Sequence, residues 1–195
     1  MDMTMTAQEE KERKARSAKL LLLFAMGSMT MMFAGIVSAV VVSKSREDWM
    51  KDFQLPTAFY FSTLIILLCS LTFHMAKKAI QKDNRLLTTN YLLLTLALGI
   101  SFVFCQFKGF GQLMDSGYFF AGPESNIATT FLYVIATVHL VHLAGGLISL
   151  LYIIYNHFKQ KYNSSQTLGI ELGAMYWHFL DFLWICLFFF LYFFK

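Results

Sequence analysis

Residues 139–146 read HLVHLAGG, two histidines one helical turn apart followed by three small residues. They lie in the run from Thr129 to Tyr152, which contains no Asp, Glu, Lys or Arg. A helix needs about 20 apolar residues to cross the hydrocarbon core of a bilayer. This run meets that length, so the histidines are polar groups at membrane depth.

Working outward, four further stretches satisfy the same criterion: Leu20–Val42, Phe53–Met75, Leu86–Phe107 and Leu172–Phe194. Polar breaks separate them: SKSREDWMKD (43–52), AKKAIQKDNR (76–85), KGFGQLMDSGYFFAGPESN (108–126) and YNHFKQKYNSSQTLGIE (155–171). The third break mixes glycine, proline and aromatics and reads as an ordered loop at the membrane interface. Pro56 falls in the first turn of the second span, where its missing N–H does no harm. The sequence therefore predicts an all-α, polytopic membrane protein, a bundle of five transmembrane helices. A polar tail, residues 1–19, precedes a membrane domain, residues 20–195. The tail, MDMTMTAQEEKERKARSAK, lacks the short apolar core and small-residue cleavage site of a secretory signal, so the first span is expected to be retained.

Composition agrees. Of 195 residues, 57% are apolar and 14% charged, where a soluble domain carries about 25% charge. The basic residues sit beside apolar runs, which fits membrane topology and argues against a nucleic-acid surface. With the N-terminus inside, inner segments hold 11 of the 16 Lys and Arg and outer segments hold 5. The excess of inner positive charge places the N-terminus inside and the C-terminus outside. Cys69, Cys105 and Cys186 lie singly in apolar runs and read as small buried hydrophobes. Gly27, Gly35, Gly99, Ala144, Gly145, Gly146 and Gly173 punctuate the spans and permit close helix approach. Trp49, Tyr118, Trp177 and the closing FFFLYFFK supply interfacial aromatics. No internal repeat is visible.

The informative residues are the polar ones inside the membrane: His139 and His142 in the fourth span, Glu171, His178 and Asp181 on the fifth, Gln106 ending the third and His74 ending the second. Three chemistries are open to them. His139 and His142 share one helix face and cannot clamp a haem between them. They could give zinc or copper two ligands, with His178 or Asp181 as a third, although no HExxH, facing cysteine or second ExxH accompanies them. A proton path through Asp, Glu and His is the second. Hydrogen bonding between packed helices, about 1 kcal/mol or less per bond, is the third. At 1.5 Å rise per residue, His142 comes level with His178 and His139 with Asp181. A structural polar cluster of His139, His142, His178 and Asp181 is therefore expected, with the histidines bonding toward the fifth helix and Ala144–Gly146 admitting a close neighbour. No catalytic set is present, and the residues alone describe an accessory subunit.

Longer motifs are more specific. FLYVIATVHLVHLAGGLISLLY (131–152) resembles the helix of subunit III of haem–copper oxidases that carries HxxH followed by small residues. GIELGAMYWHFLDFLWICLFFFLYF (169–193) resembles that family's last helix, with Glu171, Trp177-His178-Phe179, Asp181 and Trp184 at matching spacings. LPTAFYFSTLIILLCSLTFHMAKKA (55–79) and LLLTLALGISFVFCQFKGFGQL (92–113) resemble the helices before them, so the likeness covers roughly residues 20–195. It implies a subunit with no haem, copper or active site of its own, in a complex that reduces oxygen and pumps protons in aerobic electron transport. Haem and copper would belong to partner subunits, in a bacterial cytoplasmic membrane. The subunit would pack on catalytic subunit I, stabilise it, sustain proton uptake and hold phospholipid. Longer family members have two additional leading helices. The resemblance implies head-group contacts at Glu171, His157, Lys159 and Lys161, where positive-inside topology alone would also account for the lysines. One departure stands out: in SMTMMFAG (28–35), Met29 occupies the place of a glutamate frequent in the family. A quinol oxidase subunit and a nitric oxide reductase accessory protein fit the same resemblance. A small transporter would call for an inverted repeat and broken helices, and neither is visible.

Overall fold

The computed structural model describes residues 7–46, 49, 55–122, 125–164 and 166–193. Five helices follow in order: α1 (Ala7–Ser43), α2 (Thr57–Gln81), α3 (Arg85–Asp115), α4 (Ile127–Phe158) and α5 (Leu168–Phe193). All five are long and apolar enough to span a membrane. The expected start at Phe53, the expected end at Phe194, Pro123 and the first six residues of the tail lie outside the described residues.

The helices outrun the spans read from hydropathy, for local reasons. α1 continues back to Ala7 because the tail is rich in Ala, Glu, Lys and Arg, which favour helix. Glu10 pairs with Lys14 at 2.6 Å and Glu12 with Arg16 at 3.6 Å, both one turn apart. A helix of 37 residues is roughly 55 Å long, nearly twice the hydrocarbon thickness. α3 likewise runs into the segment read as a loop and ends at Asp115.

The helix ends are built from specific residues. Pro56 directly precedes α2 as its N-cap, and Gln112 Oε1 of α3 accepts the free N–H of Ala58 at 3.2 Å. Asn84 and Asn126 cap α3 and α4, accepting from Leu87 N and Ala128 N. Asp83 and Gln160 end α2 and α4 with left-handed backbone, φ 53° and 56°. Asp83 tolerates this because its carboxylate accepts Ser164 N–H at 2.8 Å. Hydrogen bonding from the Ser164 side chain first, and then from its backbone N–H, holds the Asp83 carboxyl below the usual aspartate range. Only Lys82, Asp83 and Asn84 join α2 to α3, so the two pack as an antiparallel hairpin with the most extensive interface in the bundle.

α5 lies between α2 and α4, and α3 touches α2 and α4. α1 touches α4 and α5 only, so it stands at the edge of the bundle. The main core gathers Phe59, Phe73, Phe102, Trp177 and Trp184 around aliphatic residues of α2–α5. A smaller cluster joins Phe33 and Val40 of α1 to Ile135, Leu183 and Leu187. The outside is apolar too: Phe24, Met31, Phe104, Val141, Ile148 and Phe182 are all exposed, as a lipid-facing surface requires.

Glycines separate these two regimes. A Cβ on Gly109 of α3 would stand 2.5 Å from Phe59 Cε1, whereas one on Gly27 or Gly35 of α1 would meet nothing within 4 Å. Phe59 is wholly buried and wedged edge-on against Phe110 and Trp184, so it cannot swing aside. Gly109→Leu is expected to lower stability by about 1–3 kcal/mol through overpacking, while Gly35→Leu leaves it unchanged. Reversible unfolding in mixed micelles measures both.

Candidate functional site

Three polar side chains of α5 bond to α2. Trp177 Nε1 donates to Cys69 Sγ at 3.2 Å, and Trp184 Nε1 donates to Thr63 Oγ1 at 3.1 Å. His178 Nδ1 and Ser70 Oγ share a hydrogen bond of 2.7 Å. Residues 177, 181 and 184 follow helical spacing, so Asp181 enters the same interface. It is 3% exposed, and neither of its oxygens has a hydrogen-bond partner. Cys69 and Ser70 are within electrostatic reach of its carboxyl. Further along α2, Thr72 and Thr95 of α3 join hydroxyls at 2.9 Å, and Gln106 of α3 donates to Ser62 at 3.0 Å. α2 thus collects polar partners from both neighbours.

The α4 histidines make different contacts. His139 is wholly buried and neither ring nitrogen has a partner. Its ring lies 5.0 Å from Trp184 between centroids, with Phe102 at 6.0 Å and Phe33 at 6.5 Å. His142 Nδ1 is 2.8 Å from Val138 O of its own helix, and Phe33 stands 5.8 Å from its ring. Among the described residues, neither His139 nor the Nδ1 of His142 makes the expected bond toward α5. Contact between the helices comes instead from Tyr176, which donates to His142 O at 3.0 Å, and from close packing. Of the three small residues after His142, only Gly146 is buried; Leu180 and Trp177 fill the space over it. Gly99 of α3 receives the other edge of Trp177, whose ring would stand 3.1 Å from a Cβ added there. The indole of Trp177 therefore occupies a slot that needs glycine on two helices.

The remaining expected residues lie at the basic end of the bundle, the end that carries Lys77, Lys78, Lys82, Lys159 and Lys161. Glu171 accepts from Lys19 of α1 at 2.9 Å and from Thr167 at 2.8 Å. His157 is buried, with Nε2 2.9 Å from the Thr89 hydroxyl. Lys159 sits over the Tyr155 ring at 4.5 Å, and Lys161 lines a cleft. That cleft, about 490 Å³, lies between the tail end of α1 and the α4–α5 connection, with Lys11, Lys19, Lys161 and Tyr162 among its walls. A second, apolar cavity of about 420 Å³ continues beneath α1, walled by Leu22, Ala25, Met29, Tyr152 and Tyr176. Tyr162 and Gly169 line both.

Among the described residues, no three His, Cys, Asp or Glu side chains gather as a metal ion would need. Aromatic rings fill the space around His139 where a third donor would stand. Of the expected residues, His178 joins a line of interhelical bonds along α2 and Glu171 and Lys161 border a basic cleft beside α1, whereas His139, His142 and Asp181 make none of these bonds. Sequence reasoning missed Thr63, Cys69 and Ser70, which recur on α2 at helical spacing alongside Ile66 and Phe73.

The arrangement defines a multi-pass, all-helical membrane protein whose buried polar groups hold helices together. Comparison with known proteins gives the particular kind. Residues 21–195 match the family model for cytochrome c oxidase subunit III, and the chain belongs to that family. It is 34% identical over 133 residues to the cytochrome bo(3) ubiquinol oxidase subunit 3 of Buchnera aphidicola subsp. Schizaphis graminum, covering 68% of this chain and 69% of that one. It is 29% identical over 169 residues to the cytochrome c oxidase subunit 3 of Thermostichus vulcanus, covering 85% and 81%. A probable cytochrome c oxidase subunit 3 of Mycobacterium tuberculosis is 28% identical over 133 residues, covering 68% and 64%. Relatives therefore serve both cytochrome c and quinol oxidases by name, and family membership makes this chain a subunit of a haem–copper oxidase complex.

Trp177 and Trp184 differ in what they carry. Trp177→Ala empties the slot at Gly99 and Gly146 and is expected to cost about 3–5 kcal/mol. Trp184→Phe keeps one aromatic ring and loses the other together with the donor. Thr63 Oγ1 retains its bond to Phe59 O at 2.8 Å, so the cost should be smaller, about 1–3 kcal/mol, from the lost bond and the small void. Unfolding in mixed micelles distinguishes the two.

Proposed function

We propose that this chain is the non-catalytic subunit III of a bacterial, proton-pumping terminal oxidase, packed against the catalytic subunit I in the cytoplasmic membrane. Haem and copper reside in the partner subunits, and this chain stabilises subunit I and sustains its proton supply. The observation that carries the reading is the family match across residues 21–195. Site geometry supports it, since the polar side chains along α2 are used in helix packing. In this reading none of His139, His142, His178 and Asp181 belongs to a redox centre, and His178 ties α5 to α2 through Ser70. Cytochrome c is the favoured electron donor and quinol the alternative, because relatives of both names match.

The N-terminus lies inside and the C-terminus outside. The supporting observation is the crowding of lysine at the basic end, where surface potential and topology both favour positive charge. The tail, residues 1–19, and the membrane domain, residues 20–195, are then a cytoplasmic extension and a five-helix unit. A phospholipid occupies the cleft and cavity beside α1, its head group near Lys161 and Glu171 and a chain along Leu22 and Met29. Lys159 contributes charge at the rim, whereas His157 acts through the Thr89 bond that steadies the α4 end.

Single cysteines placed near Lys82 and near Ser125 should label from opposite sides of the membrane, Lys82 from the inside. Labelling from one side overturns the topology.

The chain should co-purify with a haem-bearing subunit. Deleting it should leave the initial rate of oxygen reduction within about twofold, yet shorten the number of turnovers before inactivation. An oxidase unchanged in working life by the deletion overturns the supporting role.

A further inference from the structure

Asp181 is a carboxyl group 3% exposed in the middle of a membrane helix, with no hydrogen-bond partner and no ion pair among the described residues. Helix packing gains nothing from it, since an apolar residue of similar volume would fill the site without the cost of desolvating a polar group. Its surroundings are not uniformly inert, however. Ser70 of α2 acts on its carboxyl, and the same Ser70 hydroxyl is 2.7 Å from His178 Nδ1. The His178 ring in turn lies 6.2 Å, between centroids, from His74. Ser70 and His178 are half-buried and His74 is exposed. Exposure thus rises step by step from Asp181 toward the basic end of the bundle.

We propose that His74, His178 and Ser70 form a proton-exchange path from the basic end to Asp181, making Asp181 a proton-binding site inside the membrane domain. His74 takes up a proton at the surface and passes it to Nε2 of His178, a gap that rotation of the exposed His74 side chain closes. The imidazolium gives its Nδ1 proton to Ser70 Oγ as the Ser70 hydrogen moves to the Asp181 carboxylate, which a side-chain rotation brings into hydrogen-bond distance of the hydroxyl. One proton enters and one O–H bond forms on Asp181; His178 is left neutral with its hydrogen on Nε2, and release reverses each transfer. A hydroxyl suits the middle position because it donates and accepts at once. An imidazole suits the next because its two nitrogens face opposite directions.

The charged and titratable groups around the path are few. Lys77 of α2 acts electrostatically on both His178 and Glu171. Glu171 is paired with Lys19 of α1. Cys69 lies beside Asp181 on α2. α4 brings His139 and His142 to its contact with α5, through Trp184 and Tyr176.

The inference is independent of the oxidase reading and is tested on the full chain reconstituted in lipid nanodiscs. Infrared difference spectra between acidic and alkaline buffer should contain a protonated-carboxyl stretch that Asp181→Asn removes. In D2O that band should shift promptly in the wild type, and about tenfold or more slowly in Ser70→Ala and His178→Phe. Ser70→Thr, which keeps the hydroxyl, should restore the wild-type rate. A merely structural role for Ser70 would move stability and leave the exchange rate alone. Two results overturn the proposal: no band sensitive to Asp181→Asn, or exchange as fast in Ser70→Ala as in the wild type.

Discussion

A polar side chain in hydrocarbon must find its partner inside the protein, because lipid offers none. In this bundle the requirement is met mainly between α5 and α2. Trp177, His178 and Trp184 reach Cys69, Ser70 and Thr63, three bonds spread over two turns of α5. The rest of the packing accommodates them. Trp177 is too large for an ordinary helix crossing, so Gly99 on α3 and Gly146 on α4 make room for its edges. Phe59, Phe73 and Phe102 then close around the two indoles edge-on, the geometry aromatic quadrupoles prefer. One set of donors thereby fixes the arrangement of α2, α3, α4 and α5 together.

α1 obeys a different balance. It has a polar tie to the other helices in the Lys19–Glu171 pair near the basic end. Its apolar grip is the Phe33–Val40 segment toward the other end. Between these two holds the helix stands away from α4 and α5 and leaves the cavity lined by Leu22, Ala25 and Met29. A half-exposed ion pair contributes only about 1 kcal/mol or less, so the apolar grip of Phe33 and Val40 carries most of the attachment of α1. Met29 bears on the cavity directly. An apolar, flexible side chain at that wall leaves the cavity without a polar group from α1, and makes it suited to hydrocarbon.

The number of helices and their membrane character were legible because apolar length is a direct consequence of bilayer thickness. Their extents were not. Hydropathy marks where lipid stops, whereas helix continues for as long as propensity and capping allow, to Ala7 in one direction and Asp115 in another. The polar residues of α5 were legible for the same reason as the spans, since charge and imidazole are costly in lipid. Their partners were hidden. Chain adjacency and equal depth pointed to α4, but His142 satisfies a ring nitrogen on the Val138 carbonyl four residues back, which no depth argument detects. Ser70, Thr63 and Cys69 carry little signal because hydroxyl and thiol groups are common in membrane helices, where they bond to their own backbone. Thr63 does so here while also accepting from Trp184. Only their recurrence on one face of α2 separates a shared interface from local bonding.

Among the described polar side chains at membrane depth, two break most completely the rule from which the rest of the structure follows. His139 and Asp181 each have every polar side-chain atom unpartnered. An orphaned polar group costs about 1–3 kcal/mol, so a bundle built for stability alone would hold leucine at both positions. They flank one residue: His139 stacks on Trp184 at 5.0 Å, and Asp181 is one helical turn before it. His139 recovers part of its cost through three aromatic neighbours, and its loss of hydrogen bonds is offset locally. Asp181 has no such cage; the groups nearest in function are Ser70, already bonded to His178, and the Cys69 thiol, already bonded to Trp177. The carboxyl is thus held next to a hydroxyl that is engaged on its other side, an arrangement that stabilises the fold less than an apolar side chain of similar size would. Packing explains Trp177, Gly99 and Gly146 completely, and leaves Asp181 as the residue whose reason lies in proton chemistry.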